Sequence, residues 1–350
     1  MFQGMRYVYE VYKEMSFSKA ARNLFISQPS LSAAVKKEEA QIGFPIFDRS
    51  SNPIQLTDLG KEYIRSIEII MDVENGFQNY INDMRELKSG SLSIGGTNLF
   101  TSYVLPPLIS RFNEQYPQVH LNLMEATTSE LTERLFSGSL DFLIDNRSMD
   151  PAVYSKRFFC EEHLLLTVPA RFAVNETMKN YALTASDIRE ERHLNSRIPP
   201  VSLEHFQDEN FLLLKGGNDT RERADRIFHN AHFLPKVRLE LDQQITAYNL
   251  SRQGMGISFS SDTLIRHVPD EEHLVYYKLS HQDAFREVNF YYKRNRYMPK
   301  VVSAFLDMLL ASGKKHILFY IYYRYLSISS SLYVHRSALS QSQRLKYRLL

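Results

Sequence analysis

The sequence predicts an α/β protein in three parts, and three observations carry that expectation. Residues 1–57 hold short helical patterns broken by Ser, Pro and Gly. Residues 58–88 hold one long, proline-free helical pattern. From Ser91 onward, short β-rich runs alternate with helical runs, the texture of α/β layers. The 350 residues suffice for two or three domains, and the net charge of +2 argues against a chain that coats nucleic acid by bulk charge. Cys160 is the single cysteine, so neither an intrachain disulfide nor a multi-cysteine metal site is expected. Charges scattered through MFQGMRYVYEVYKEMS leave no uninterrupted apolar core, so no signal peptide is expected and a cytoplasmic setting fits.

In the first part, Met5, Val8, Val11, Tyr12 and Met15 recur at helical spacing. Ser16 or Ser18 can cap a second helix with Ala20, Ala21 and Leu24 facing inward; the small residues allow close helix crossing. Ser27 offers a cap for a third helix opening on Gln28 and Pro29, where proline's missing N–H costs nothing, and running to Ile42 before Gly43. Two helices joined by a short turn form the helix-turn-helix plan. Ile46-Phe47 and Ile54-Gln55-Leu56 are short enough to be wing strands around Asp48–Pro53.

The individual residues are more specific than the plan. Ser16-Phe17-Ser18-Lys19-Ala20-Ala21, Leu24, Ser27-Gln28-Pro29-Ser30-Leu31-Ser32, Gly43, Phe47-Asp48-Arg49, Leu56-Thr57 and Gly60 together resemble the DNA-binding domain of LysR-type transcriptional regulators. Ser32, Val35, Glu39 and Gly43 meet that family's spaced pattern. Glu38 stands where the family usually has leucine, and Met15 where it usually has glycine. The resemblance implies a winged helix-turn-helix over residues 1–57. Its contacts to double-stranded DNA would come from Ser18, Gln28, Pro29, Ser30, Ser32 and Lys36, with Arg49 on the wing.

The long helix, residues 58–88, carries a seven-residue ladder of Tyr63, Ile70, Phe77 and Met84, with Ile67 and Ile81 in the complementary seam. Such a stripe either pairs with a second copy, as in a coiled coil, or packs on its own domain. Pairing would place two reading heads at two half-sites, and in the family the corresponding linker helix does pair. A dimer or tetramer is therefore expected.

Beyond it, Leu92-Ser93-Ile94, Val119 to Leu123 and Leu140 to Ile144 read as strands separated by two helices, a β-α-β-α-β unit that requires a parallel sheet. In open α/β sheets, ligands bind beyond the carboxyl ends of strands, where helix N-termini offer N–H groups. Thr97, Asn98, Thr101 and Ser102 follow one strand end and Thr128 lies near another; Arg147 follows a third and could grip a carboxylate. Simple helix capping is the competing reading for each hydroxyl, and a surface charge for Arg147. Leu105-Pro106-Pro107-Leu108, Arg111-Phe112, Tyr116-Pro117 and Leu140-Asp141 resemble the first lobe of the LysR-type effector domain, and Gln253-Gly254-Met255-Gly256-Ile257 resembles a hallmark of the second. The Ser258–Ser261 stretch replaces a usual proline there.

The resemblance implies a two-lobed domain akin to type 2 periplasmic binding proteins over 89–313, with lobe I at about 89–161 and 268–313 and lobe II at about 162–267. Asn218, Asp219 and Thr220 would then face the first lobe across a cleft for a small anionic effector, with Gln244 and Thr246 before or within a helix. RNA polymerase is a further expected partner. A solute-binding protein or an enzyme on the same fold are the alternatives; the chain shows no nucleophile elbow, His-x-x-x-His or phosphate-cradling glycine loop. Glu161-Glu162-His163 reads as a solvated charge cluster, and no metal or cofactor is expected. Residues 314–350 form an atypical basic, aromatic tail with no acidic residue after Asp307, whose apolar run is too short for a confident membrane span.

Overall fold

The computed structural model describes residues 3–51, 53–84, 90–232, 234–269 and 273–313. The expected tail, 314–350, lies outside them. The described residues up to Val301 belong to one compact unit; the end of the last helix, α12 (Lys300–Gly313), belongs to a second.

The chain opens with α1 (Gln3–Glu14), α2 (Phe17–Asn23) and α3 (Gln28–Ile42). Ser16 caps α2 and Ser27 caps α3, each side chain accepting a backbone N–H three residues on. Gly43 ends α3 at φ +85°, a conformation open to glycine. The wing is the antiparallel pair β1 (Phe47–Asp48) and β2 (Gln55–Leu56). Val8, Val11, Ala20, Ala21, Leu31, Val35 and Ile46 form the core of this part. Glu39 accepts the backbone N–H groups of Ile46 and Phe47, at 2.9 and 3.2 Å, tying the wing to α3. Glu38 takes the Tyr63 hydroxyl at 2.5 Å, which satisfies a carboxylate where an apolar residue was the norm. Met15 sits at φ +46°, which explains why glycine suits that turn.

The linker is α4 (Asp58–Met84), roughly 40 Å long at 1.5 Å per residue. It corrects the seven-residue ladder. Ile64 and Ile67 are buried in the N-terminal core, and Tyr63 packs against it, so Tyr63 and Ile67 belong to the domain's own packing. A 3.6-residue helix drifts against a strict seven-residue repeat, so the first turns face a different neighbour from the later ones. The stripe left exposed is Ile69, Val73, Phe77 and Tyr80. Ile70 and Ile81 are half-buried, and the Met84 side chain lies outside what is described.

Lobe I holds β3 (Ser91–Gly96), α5 (Leu105–Gln115), β4 (His120–Glu125), α6 (Thr128–Ser137) and β5 (Phe142–Asp145), with β3 parallel to both β4 and β5. A π-type turn, Phe100–Val104, precedes α5, because Pro106 and Pro107 cannot donate to a regular helical ladder. The long strand β6 (Tyr154–Pro169) then runs from one lobe into the other. Lobe II contains α7 (Val174–Thr177), α8 (Ala185–Arg189), β7 (Asn210–Leu214), α9 (Asp219–Asn230), β8 (Lys236–Leu241), α10 (Gln244–Arg252), β9 (Ile257–Ser261), α11 (Asp262–His267) and β10 (Leu274–Lys278). The chain returns through β11 (Phe285–Lys293), antiparallel to β5 and β6. The strand order is β4-β3-β5-β11-β6-β9-β7-β8, with β10 also on β6. β6 exchanges β11 for β9 between His163 and Leu164, slightly beyond the expected Glu161. The return comes later than the expected His267, because β10 pairs with the lobe II half of β6. Ser258 to Ser261 are buried strand residues, and Ser261 caps α11.

Candidate functional site

Two surfaces gather the sequence-predicted residues. On the first, Ser18, Gln28, Pro29, Ser30 and Lys36 are exposed around the start of α3. Gln28 and Lys36 carry long polar side chains on that face, of the kind that can reach a base edge or a phosphate. Arg49 is less free than expected. Its guanidinium donates to Ser32 Oγ at 3.2 Å and to Glu39 Oε2 at 3.0 Å, and lies 4.8 Å from the centre of the Phe17 ring. It therefore braces the wing on α3 and also occupies the Ser32 hydroxyl.

The second surface is a cleft between the lobes, a cavity of about 380 Å³, within the usual range for small-molecule sites. Thr97, Asn98, Thr128, Asn218, Thr220 and Gln244 line it, as the sequence suggested. Four expected residues do not. Thr101 is buried beside it, its hydroxyl on Glu125 Oε2 at 2.9 Å. Ser102 and Thr246 are exposed outside it, because each lies on a helical face turned to solvent. Arg147 reaches lobe II instead, donating to the Gly217 carbonyl at 2.8 Å and Glu222 Oε1 at 3.1 Å. It latches the two lobes together rather than pointing into the cavity.

Of the charged groups at the heart of the cleft, sequence reasoning singled out Asp219 but missed Arg286, its partner Glu162 and Asp145. Arg286, at the start of β11, donates to Glu162 Oε2 at 2.6 Å, Asp219 Oδ2 at 2.7 Å and Thr220 Oγ1 at 3.0 Å. Glu162 is fully buried, so this member of the cluster expected to be solvated is a paired interior charge, while Glu161 beside it is exposed. Asp145 accepts the Thr128 hydroxyl at 2.8 Å and the Arg147 backbone N–H at 2.7 Å. Burial pushes its carboxyl above the usual range. Asp242 pairs with Lys215 at 2.9 Å at the rim. Asp145 closes a strand read from the sequence, so its position at a strand end was an available signal; Arg286 had none.

Three helices begin at this cavity. Thr127 caps α6 and Asn218 caps α9 with side-chain oxygens. α10 has no side-chain cap and no acidic residue in its first turn; the Thr246 N–H bonds to the Gln243 carbonyl, which leaves those of Gln244 and Ile245 for an anion. α6 also links the cleft to the linker. Its first residues line the cavity, while its end, at Gly138, abuts Asp72 of α4 so closely that a Cβ at Gly138 would collide with the Asp72 carboxylate. Asp72 is buried and pairs with Lys293 at 2.9 Å and Arg296 at 2.7 Å, and Arg296 also holds Asp141 and the Gly138 carbonyl. Arg65 lies over the Phe136 ring at 4.6 Å.

Comparison with known proteins agrees with this architecture. Residues 2–61 match the model for the bacterial regulatory helix-turn-helix protein, lysR family, and residues 85–314 match the LysR substrate binding domain. An uncharacterised HTH-type transcriptional regulator of Bacillus subtilis, YcgK, is 27% identical over 314 residues, 89% of this chain and 94% of that protein. A full-length OxyR variant from Pseudomonas aeruginosa superposes with a TM-score of 0.64 at 22% identity, covering 87% of this chain and 93% of that one. Full-length CbnR in complex with its target DNA gives 0.59 at 16% identity, covering 89% and 99%. With a reading head, a linker helix and a two-lobed cleft in this order, the chain belongs to the LysR family of DNA-binding transcriptional regulators whose second domain takes a small-molecule effector.

Proposed function

We propose that a small anion entering the cleft changes how the paired reading heads sit on DNA, and that α6 carries the signal. The observation behind this reading is that one ten-residue helix touches the cavity at its start and the linker at its end. A ligand acts on DNA occupancy only by preferring one arrangement over another. An anion at the free N–H groups of α10 would draw lobe II toward Thr128 of α6, and a shift of α6 would be felt at Asp72. Fixed phosphate and base contacts would come from Gln28, Lys36 and their neighbours on α3. The stripe Ile69, Val73, Phe77 and Tyr80 would join a second copy. By the same reading the chain works in the cytoplasm, carries no catalytic step and has RNA polymerase as a further partner; among the described residues no helix is long and apolar enough to cross a membrane. A thermal-shift screen of anionic metabolites on the full chain, followed by duplex titrations with each hit, tests it. A hit should raise the unfolding temperature and change DNA affinity. A chain stabilised by no anion, or by one that leaves DNA binding unchanged, would refute it.

A further inference from the structure

Where β6 passes between the lobes, three ligand-bearing side chains converge on a point outside the cleft. They come from separate segments: His163 from β6, His193 from the short turn Arg192–Leu194, and Asp262 from the first residue of α11. One ring nitrogen of each histidine and a carboxylate oxygen of Asp262 all lie within 4.8 Å of one another. His193 and Asp262 are buried; the His163 side chain is 29% exposed, but its Nδ1, which faces Asp262, is buried.

The distances distinguish two kinds of contact. His193 Nε2 stands 3.0 Å from Asp262 Oδ2, a hydrogen bond. His163 Nδ1 is buried without a hydrogen-bond partner, 3.7 Å from that same oxygen. That gap is too long for a hydrogen bond, yet close to the roughly 3.3 Å that separates two ligands on 2.0–2.1 Å bonds around a tetrahedral zinc ion. The carboxylate is already oriented: its other oxygen accepts the His163 backbone N–H at 3.0 Å, and Arg266 donates to Oδ2 at 3.0 Å. Such outer partners commonly fix a metal-binding carboxylate. The charge of Arg266 opposes a cation, so only an ion with strong affinity for imidazole could compete, which favours zinc-class ions over magnesium or calcium.

We propose that His163, His193 and Asp262 form a site for one divalent transition ion of the zinc class, with a water molecule completing its coordination. The ion would sit one residue from Glu162, whose partner Arg286 lines the cleft. It would therefore cross-link β6, the Arg192–Leu194 turn and α11 at the point where lobe II begins.

The test uses the full chain stripped with a chelator and titrated with Co²⁺ and Zn²⁺ against a chromophoric competitor. One equivalent should bind per chain, with the intense visible absorption of four-coordinate cobalt. The exchange His163→Gln removes a ligand at a partly exposed position and should weaken binding at least tenfold while the circular dichroism spectrum stays native. Anomalous diffraction from Zn²⁺-soaked wild-type crystals gives a second reading, independent of the variant, and should place the ion among these three side chains. Absence of stoichiometric binding would overturn the proposal. So would equal affinity in His163→Gln, or a zinc peak elsewhere; the three residues would then be a histidine–aspartate hydrogen-bond network alone.

Discussion

The reading head and the cleft both depend on an arginine, and they use it differently. Arg49 lies at the surface, its side chain 33% exposed, shared between Ser32 and Glu39. Arg286 is 2% exposed against a fully buried Glu162 and also holds Asp219 and Thr220. The difference reflects what each surface must meet. The start of α3 offers exposed groups to a partner whose groove has a fixed shape. The charged side chains of the cleft are already paired, so a ligand that reaches Arg286 must exchange existing hydrogen bonds for its own, whereas the uncapped start of α10 has no side-chain bond to give up.

The sharpest way to expose the contrast is to remove each arginine. Arg286→Ala would leave Glu162 charged in the interior, and loss of one partner of a buried pair costs about 3–5 kcal/mol. Arg49→Ala should cost no more than about 1 kcal/mol, as exposed pairs do. Urea unfolding of both variants measures this, and equal losses would erase the distinction. The linker offers a parallel test. Ile67→Ala should destabilise the fold by about 2–5 kcal/mol, as a cavity in a packed core does. Phe77→Glu should leave the fold intact and shift sedimentation toward smaller species. An unchanged oligomer for Phe77→Glu would mean that the exposed stripe is not the pairing face.

Smaller effects follow at the two surfaces. Gln28→Ala should cost about 1–3 kcal/mol on the preferred duplex and much less on random sequence, as for a lost base-edge contact. Equal loss on both, in titrations at several salt concentrations, would assign Gln28 to phosphate. At the cleft, burial holds Asp145 above the ordinary carboxylate range. Its contribution to stability is therefore present below its unfolded value and lost as pH rises through its folded one. Ionisation adds negative charge beside the ligand, so anion affinity should fall as pH rises through the same window. Asp145→Asn should flatten that dependence; a slope that survives it would place the titrating group elsewhere.

The reading head was more legible in the sequence than the cleft, for physical reasons. Capping serines, an N1 proline and a C-terminal glycine act within a few residues, so Ser16, Ser27, Pro29 and Gly43 could be read directly. Hydroxyls at strand ends gave Thr97, Thr128 and Thr220 but also Ser102 and Thr246, because spacing alone does not say which face of a helix meets the other lobe. Arg286 and Glu162 are 124 residues apart and meet only through the antiparallel pairing of β11 with β6. Nothing local signals that encounter. The seven-residue ladder on α4 failed at Ile67 for a related reason: periodicity shows a stripe but not its partner.

If the cleft and the reading head are coupled through one chain, DNA affinity must respond to a saturating cleft ligand. On this account the dissociation constant for a specific duplex changes by roughly 5–150-fold, the usual span of allosteric coupling. The change should shrink toward unity in Asp72→Ala, which cuts the link between α6 and α4, while ligand affinity in the absence of DNA stays near its wild-type value. A ligand that fills the cleft and leaves the wild-type affinity for DNA unaltered would contradict it.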